Sequence, residues 1–208
     1  MIFFDLDGTL TDPAPGITGC MRHAADVLGV DVEEDLAQYI GPPLAESFRC
    51  ILRSMDPELI AEAIRLYRER FGTVGLFENA LYPGIPELLA ELSDAGHELR
   101  VVTSKPHIYA DRIIDHFDLR RWIPTVYGSE LDGTRTDKGE LIGHVLEIEG
   151  ITGDRATMIG DRMHDIRGAK AHGLRTIGVL WGYGAEGELE RAGADLVVAE
   201  VSEVRGCF

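Results

Sequence analysis

Ile2-Phe3-Phe4-Asp5-Leu6-Asp7-Gly8-Thr9-Leu10-Thr11 opens the chain with an apolar, strand-forming run that stops at a carboxylate. A Gly-Thr pair turns the backbone just after the second acid. This order presents two carboxylates at the carboxyl end of a strand, where open α/β sheets place their ligands. Strand alternation sends Leu6 away and sets Asp5 and Asp7 on one face, converging. Two anions that close need a compensating cation, and a hard divalent ion such as Mg²⁺ suits them. Asp and Gly also serve in ordinary polar turns, so the rest of the chain has to decide.

Asp12-Pro13-Ala14-Pro15-Gly16 is a breaker-rich joint, and from there to about Asn79 the pattern is helical. Ile17, Cys20, Met21, Ala24 and Leu28 recur at helical spacing, as do Leu59, Ala63, Leu66, Tyr67 and Phe71. Gly41-Pro42-Pro43 interrupts this block. No strand pattern is expected there. From Leu81 strands and helices alternate. Strands are expected at 99–103, 124–128, 156–160, 176–180 and 196–199. Helices are expected at 86–95, 106–117, 138–149, 165–172 and 186–192. Short connections between alternating elements imply a parallel sheet covered on both faces, with the helical block inserted after its first strand. The tail from Val201 carries no signal.

Three more strand ends hold polar residues. Thr103-Ser104-Lys105-Pro106 offers hydroxyls and backbone N–H groups suited to phosphate oxygens, although Thr and Ser are equally ordinary helix caps. Lys138 follows a polar loop and, taken alone, reads as a solvated surface lysine. Thr157-Met158-Ile159-Gly160-Asp161-Arg162-Met163-His164-Asp165 is the strongest after the opening. Asp161 leaves a strand beside the first acids if the two strands are neighbours, and Asp165 lies about one helical turn further. Metal binding fits these two acids; so does a helix N-cap with a first-turn acid.

The order Asp-x-Asp, Thr/Ser, Lys, Gly-Asp-x-x-x-Asp resembles the motifs of the haloacid-dehalogenase-like (HAD) superfamily across the whole catalytic core. That resemblance implies an α/β, Rossmann-like core from 1–12 and 81–208, with a small α-helical cap at 13–80. Thr103-Ser104-Lys105-Pro106, Gly128-Ser129-Glu130-Leu131-Asp132-Gly133-Thr134-Arg135 and Gly160-Asp161-Arg162 look like the phosphoglycolate-phosphatase-like branch. Phe77-Glu78-Asn79-Ala80-Leu81-Tyr82-Pro83-Gly84-Ile85 and Val179-Leu180-Trp181-Gly182-Tyr183-Gly184 resemble members described as 5′-nucleotidases. The resemblance implies a Mg²⁺-dependent phosphatase of small phosphorylated metabolites. Asp5 would be the nucleophile and Asp7 the general acid and base. Asp5, Asp7, Asp161 and Asp165 would serve the metal, Asp7 through its carbonyl and Asp165 through water. Thr103, Ser104, Lys138 and the Gly8-Thr9 turn would hold phosphoryl oxygens, and Lys138 would offset the attacking carboxylate. Gly41-Pro42-Pro43 and Arg49 are candidate specificity elements, the latter for a second anionic group; a helix turn and a surface arginine are the plain alternatives. Trp181 and Tyr183 either line the entrance or pack.

Three other readings share parts of this set. A phosphomutase of the same fold would keep the phosphoenzyme for a sugar phosphate. A response-regulator receiver would accumulate it as a signal, and a non-catalytic binding module would make none. A dehalogenase needs neither a second acid nor a metal.

Composition bounds the rest. A 208-residue chain with 45% hydrophobic and 27% charged residues is ordinary for a globular protein. The net charge of −16 argues against non-specific binding to nucleic-acid polymers or anionic membranes, which need a basic surface. It also means that a phosphorylated substrate approaches against the overall field. Cys20, Cys50 and Cys207 lack ligand spacing and read as reduced thiols. With no secretory signal and no apolar span, the expected location is cytoplasmic. Oligomeric state is not encoded in any pattern found.

Overall fold

A computed structural model describes residues 1–32 and 35–208. The chain forms two compact units, one of Met1–Asp12 with Leu81–Phe208 and one of Pro13–Ala80. In chain order the elements are β1 (Ile2–Phe4), β2 (Thr11–Asp12), α1 (Ala14–Val27), α2 (Leu44–Ile51), α3 (Pro57–Arg70) and β3 (Ala80–Leu81). Then come α4 (Ile85–Asp94), β4 (Leu99–Pro106), α5 (His107–His116), β5 (Thr125–Ser129), α6 (Lys138–Glu149) and β6 (Thr157–Gly160). The chain ends with α7 (Met163–Ala171), β7 (Arg175–Val179), α8 (Glu188–Ala192), β8 (Leu196–Val198) and α9 (Val201–Val204).

The larger unit is built on a six-stranded sheet in the order β5-β4-β1-β6-β7-β8. Every ladder is parallel. β1 sits between β4 and β6, Phe4 opposite both Val101 and Ile159. The strand order reverses at β1, which makes its carboxyl end the crevice where such sheets bind ligands. Strands buried on both faces need continuous apolar runs, and Ile2, Phe3 and Phe4 provide one. Phe3 packs with Val102, Leu141, Val145 and Met158, so the strand and α6 share one core. Burying a side chain of this size stabilises the fold by about 2 kcal/mol.

α6 starts where it does because Asp137 caps it, its carboxylate accepting from the Glu140 N–H at 2.9 Å. That cap fixes Lys138 as the first helical residue, at the sheet's carboxyl edge. Gly150, in a left-handed conformation, ends the helix. α7 is capped by Arg162, with the Asp165 carboxylate accepting from the Arg162 N–H at 3.1 Å. Asp161 is therefore not the cap and stays available at the strand end.

Four local expectations change. β4 runs on to Pro106, three residues beyond its expected end, with a shift in pairing between Thr103 and Pro106. β1 stops at Phe4, and the N–H groups of Thr9, Leu10 and Thr11 all point to the Leu6 carbonyl at 3.3, 2.9 and 3.0 Å. Asp7 thus leaves a tight turn rather than an alternating strand, while Asp5 stays at the strand end, its N–H donating to the Ile159 carbonyl at 2.9 Å. β3 supplies a short strand at Ala80–Leu81, where none was expected. The tail folds as α9, its Glu203 carboxylate accepting from the Ala199 and Glu200 N–H groups.

The helical unit buries Cys20, Met21, Ala24, Phe48, Ala63, Tyr67 and Phe71. Tyr67 stacks on Phe71 with ring centroids 5.3 Å apart. Cys20 is a core thiol, accepting from Arg70 Nη1 at 3.2 Å. Among the described residues no helix is long and apolar enough to cross a membrane.

Candidate active site

The carboxyl ends of β1 and β6 are adjacent, so Asp5 and Asp161 emerge side by side, and the first turn of α7 adds Asp165. Carboxylate oxygens of Asp5, Asp161 and Asp165 all lie within 4.8 Å of one another, and all three residues are buried. Gly8 makes the approach possible. Its φ of +87° favours glycine, and a Cβ there would sit 2.3 Å from Asp161 Oδ2.

Two lysines answer the acids. Lys138 Nζ lies 2.7 Å from Asp5 Oδ1 and 2.8 Å from Asp165 Oδ1, and it donates to the Val102 carbonyl at 3.0 Å. Only 4% of its side chain is exposed, so it is no surface lysine. Burial pulls its pKa down, but Asp165 and Asp5 outweigh that and hold the ammonium above its usual range. Lys105 Nζ lies 2.5 Å from Asp7 Oδ2. Asp7 Oδ1 is buried and, among the described residues, has no hydrogen-bond partner. Burial raises the Asp7 pKa, with Lys105 working against it.

Asp161 is under a comparable electrostatic load. Burial, then Asp165 and Asp5, push it up to about 8. Thr9 Oγ1 donates to its Oδ1 at 3.3 Å, and the Tyr183 N–H donates to its Oδ2 at 2.8 Å. Asp165 is also raised, by burial most of all. Asp161 and Asp165, both raised, sit with Asp5 in a buried set that a divalent cation would satisfy.

Thr103 is buried, and its hydroxyl accepts from the Lys105 N–H at 3.3 Å. The Ser104 carbonyl accepts from Ser129 Oγ at 2.8 Å. Trp181 donates to the Thr9 carbonyl at 3.1 Å, and the Tyr183 hydroxyl donates to Asp12, so both rings are tethered beside the turn. Arg49 is exposed on α2, in the helical unit.

A model of the haloacid dehalogenase-like hydrolase family matches residues 2–179. The chain belongs to the haloacid dehalogenase-like hydrolases. A protein of Pseudomonas aeruginosa named 5′-nucleotidase is 51% identical over 191 residues, covering 90% of this chain and 86% of that protein. A Mycobacterium tuberculosis protein named tyrosine-protein kinase PtkA is 40% identical over 209 residues, covering 99% of this chain and 71% of the relative. A solved structure from Clostridium acetobutylicum, described as a predicted phosphatase, superposes with a TM-score of 0.91 at 40% identity, covering 99% of this chain and 96% of that one.

Two features of this hydrolase's site were not read from the sequence. Lys105 stood inside a quoted motif without a role; the signal for it was the need of Asp7 for a cation. Glu188 accepts from Arg162 Nε at 3.0 Å and the Met163 N–H at 2.8 Å, bracing the turn between Asp161 and Asp165. A lone glutamate after a glycine gave no hint of that.

Proposed function

We propose that this hydrolase cleaves small phosphate monoesters, of the phosphoglycolate or nucleoside 5′-monophosphate type, through an aspartyl-phosphate on Asp5 with Mg²⁺ as cofactor. The observation that carries the reading is the convergence of Asp5, Asp161 and Asp165 with the Lys138 ammonium on Asp5. Asp5 and Asp161 would hold the ion by carboxylate and Asp7 by its carbonyl. Asp165 suits a water-mediated place, because its Oδ1 pairs with Lys138 and its Oδ2 accepts from the Arg162 N–H. Bound there, the ion supplies charge compensation for the phosphoryl oxygens.

A carboxylate oxygen of Asp5 forms a bond to phosphorus as the ester P–O bond breaks. The leaving oxygen takes its proton from Asp7. Water then loses a proton to Asp7 and attacks phosphorus, and the P–O bond to Asp5 breaks, releasing phosphate and restoring both acids. Lys138 lowers the repulsion between Asp5 and the incoming anion, and Thr103, Ser104 and the N–H groups of the 7–9 turn hold phosphoryl oxygens. The helical unit is assigned the choice of leaving group.

The test is a phosphate-release screen over a panel of monoesters with Mg²⁺, using Asp5→Asn as the blank. Turnover is expected to vanish in that variant and in chelator, because monoester hydrolysis is among the slowest reactions in water. Activity surviving either change overturns the reading. Release without any bisphosphate activator separates hydrolysis from a mutase. The mycobacterial relative's name motivates one further arm, ATP with a tyrosine peptide: phosphopeptide without net phosphate release would replace water by a tyrosine hydroxyl as acceptor.

A further inference from the structure

We infer that Lys105 is the positioning residue of the acid–base step: its ammonium holds Asp7 Oδ2, leaving Oδ1 as the atom that gives a proton to the leaving oxygen and takes one from water. The inference rests on the hydrolytic reading above.

Two independent observations divide the Asp7 carboxylate in this way. Lys105 Nζ is 2.5 Å from Oδ2 and its side chain is only 6% exposed. Oδ1 is buried with no hydrogen-bond partner among the described residues, a costly state for a carboxylate oxygen that nothing is meant to meet. A carboxylate free to spin about its last torsion would present either oxygen to the substrate. An ammonium fixed on one oxygen removes that freedom and commits the other.

The backbone is shaped to put Lys105 there. Thr103 pairs with Gly128, but the next pairing joins Pro106 to Ser129, so the Ser104-Lys105 stretch bulges out of the ladder. Such bulges re-aim side chains beside active sites. The Thr103 hydroxyl accepts from the Lys105 N–H, and Ser129 Oγ donates to the Ser104 carbonyl, bracing the bulge from both sides. Gly128 leaves room for it: a Cβ there would lie 2.6 Å from the Lys105 carbonyl oxygen.

The experiment compares Lys105→Met with the wild type in single turnovers, using an alkyl phosphate and p-nitrophenyl phosphate. An alkoxide needs a proton to leave; p-nitrophenolate does not. The alkyl rate is expected to fall about 100-fold, the usual scale of a misplaced general acid, while the first p-nitrophenolate turnover stays within about fivefold of wild type. Because water activation still needs Asp7, the variant should show a burst of about one p-nitrophenolate per site and trap phosphoenzyme. Lys105→Arg should restore part of the alkyl rate. Equal loss on both substrates means a merely structural ion pair and overturns the inference, as does no loss on either. If Lys105→Met fails to fold, Lys105→Gln keeps a donor without the charge and is read by the same split. Activity in Asp5→Asn would sink the hydrolytic reading itself, a result distinct from any outcome at Lys105.

Discussion

Replacing Asp161 with Asn should make the metal-free protein more stable, and by an amount that grows with pH. Asp161 is fully buried and its pKa stands at about 8 against an ordinary 3.8. A folded-state value above the unfolded one means that folding favours the neutral acid. Stability from this group is therefore complete below about pH 4 and drains away as pH rises through 8. The slope is about 1.4 kcal/mol per pH unit over that interval, so the wild type should lose about 4 kcal/mol between pH 5 and pH 8 from this group. Asparagine does not titrate there. Its oxygen can keep the Tyr183 N–H, and its amide can donate to a reoriented Thr9 hydroxyl, so the lost hydrogen-bond energy stays near 1 kcal/mol. The assay is urea unfolding of both proteins in chelator at several pH values. Taking the difference removes the contribution of the seven histidines, which titrate in the same range. Mg²⁺ should narrow that gap, stabilising the wild type by about 2.7 kcal/mol at a hundredfold excess over Kd and the variant by far less. Parallel pH profiles in chelator would refute the reasoning, since the strain among the three acids would then not exist.

Lys138→Met removes the ammonium that lies between Asp5 and Asp165. Breaking a buried pair by deleting one partner costs about 3–5 kcal/mol, so the urea midpoint at pH 8 should drop sharply and recover toward acid, where the raised Asp165 carboxyl becomes neutral. An unchanged midpoint at pH 8 would show that the ammonium is not the acids' counter-ion. Gly160→Ala places a methyl 2.3 Å from Asp165 Cγ, so that carboxylate must move off Lys138. A shift of about 1 Å near reacting groups costs on the order of 100-fold in rate; wild-type kcat with an intact far-UV spectrum would contradict the placement.

The parts of the site that were legible in the sequence share one property: each ends a strongly apolar strand, so its address in the sheet follows from local pattern alone. Asp5 after Ile2-Phe3-Phe4 and Asp161 after Met158-Ile159-Gly160 meet because β1 and β6 are neighbours. Lys138 was placed by its family motif and not by its surroundings, which in the sequence look like any polar loop. What stayed hidden depends on partners distant along the chain. Lys105 is aimed by a bulge whose cause is a one-for-three mismatch with β5, and no local spacing encodes it. The residue before a proline favours extended backbone, and that was the available clue that β4 continues to Pro106. The alternation argument for Asp5 and Asp7 failed because Leu6 collects three turn hydrogen bonds, ending the strand one residue too soon. The acids still share a crevice, but the turn, not the pleat, delivers the second one.

Charge balance ties the fold to the chemistry. Asp5, Asp7, Asp161 and Asp165 contribute four carboxylates, while Lys105 and Lys138 contribute two ammoniums. Arg162 adds nothing net, being paired with Glu188 at 3.0 Å. The fully ionised set is therefore two negative charges in excess, in a chain that already carries −16 overall. A monoester dianion would not enter such a place from water. One divalent cation brings the set to neutrality, and a single proton held on Asp7 tips it positive. On the proposed mechanism, the proton needed by the leaving oxygen is thus the same one that would admit the substrate. On that mechanism, once the proton has gone to the leaving group, Asp7 would again be an anion next to a bound phosphoryl group, the state that would draw a proton from water.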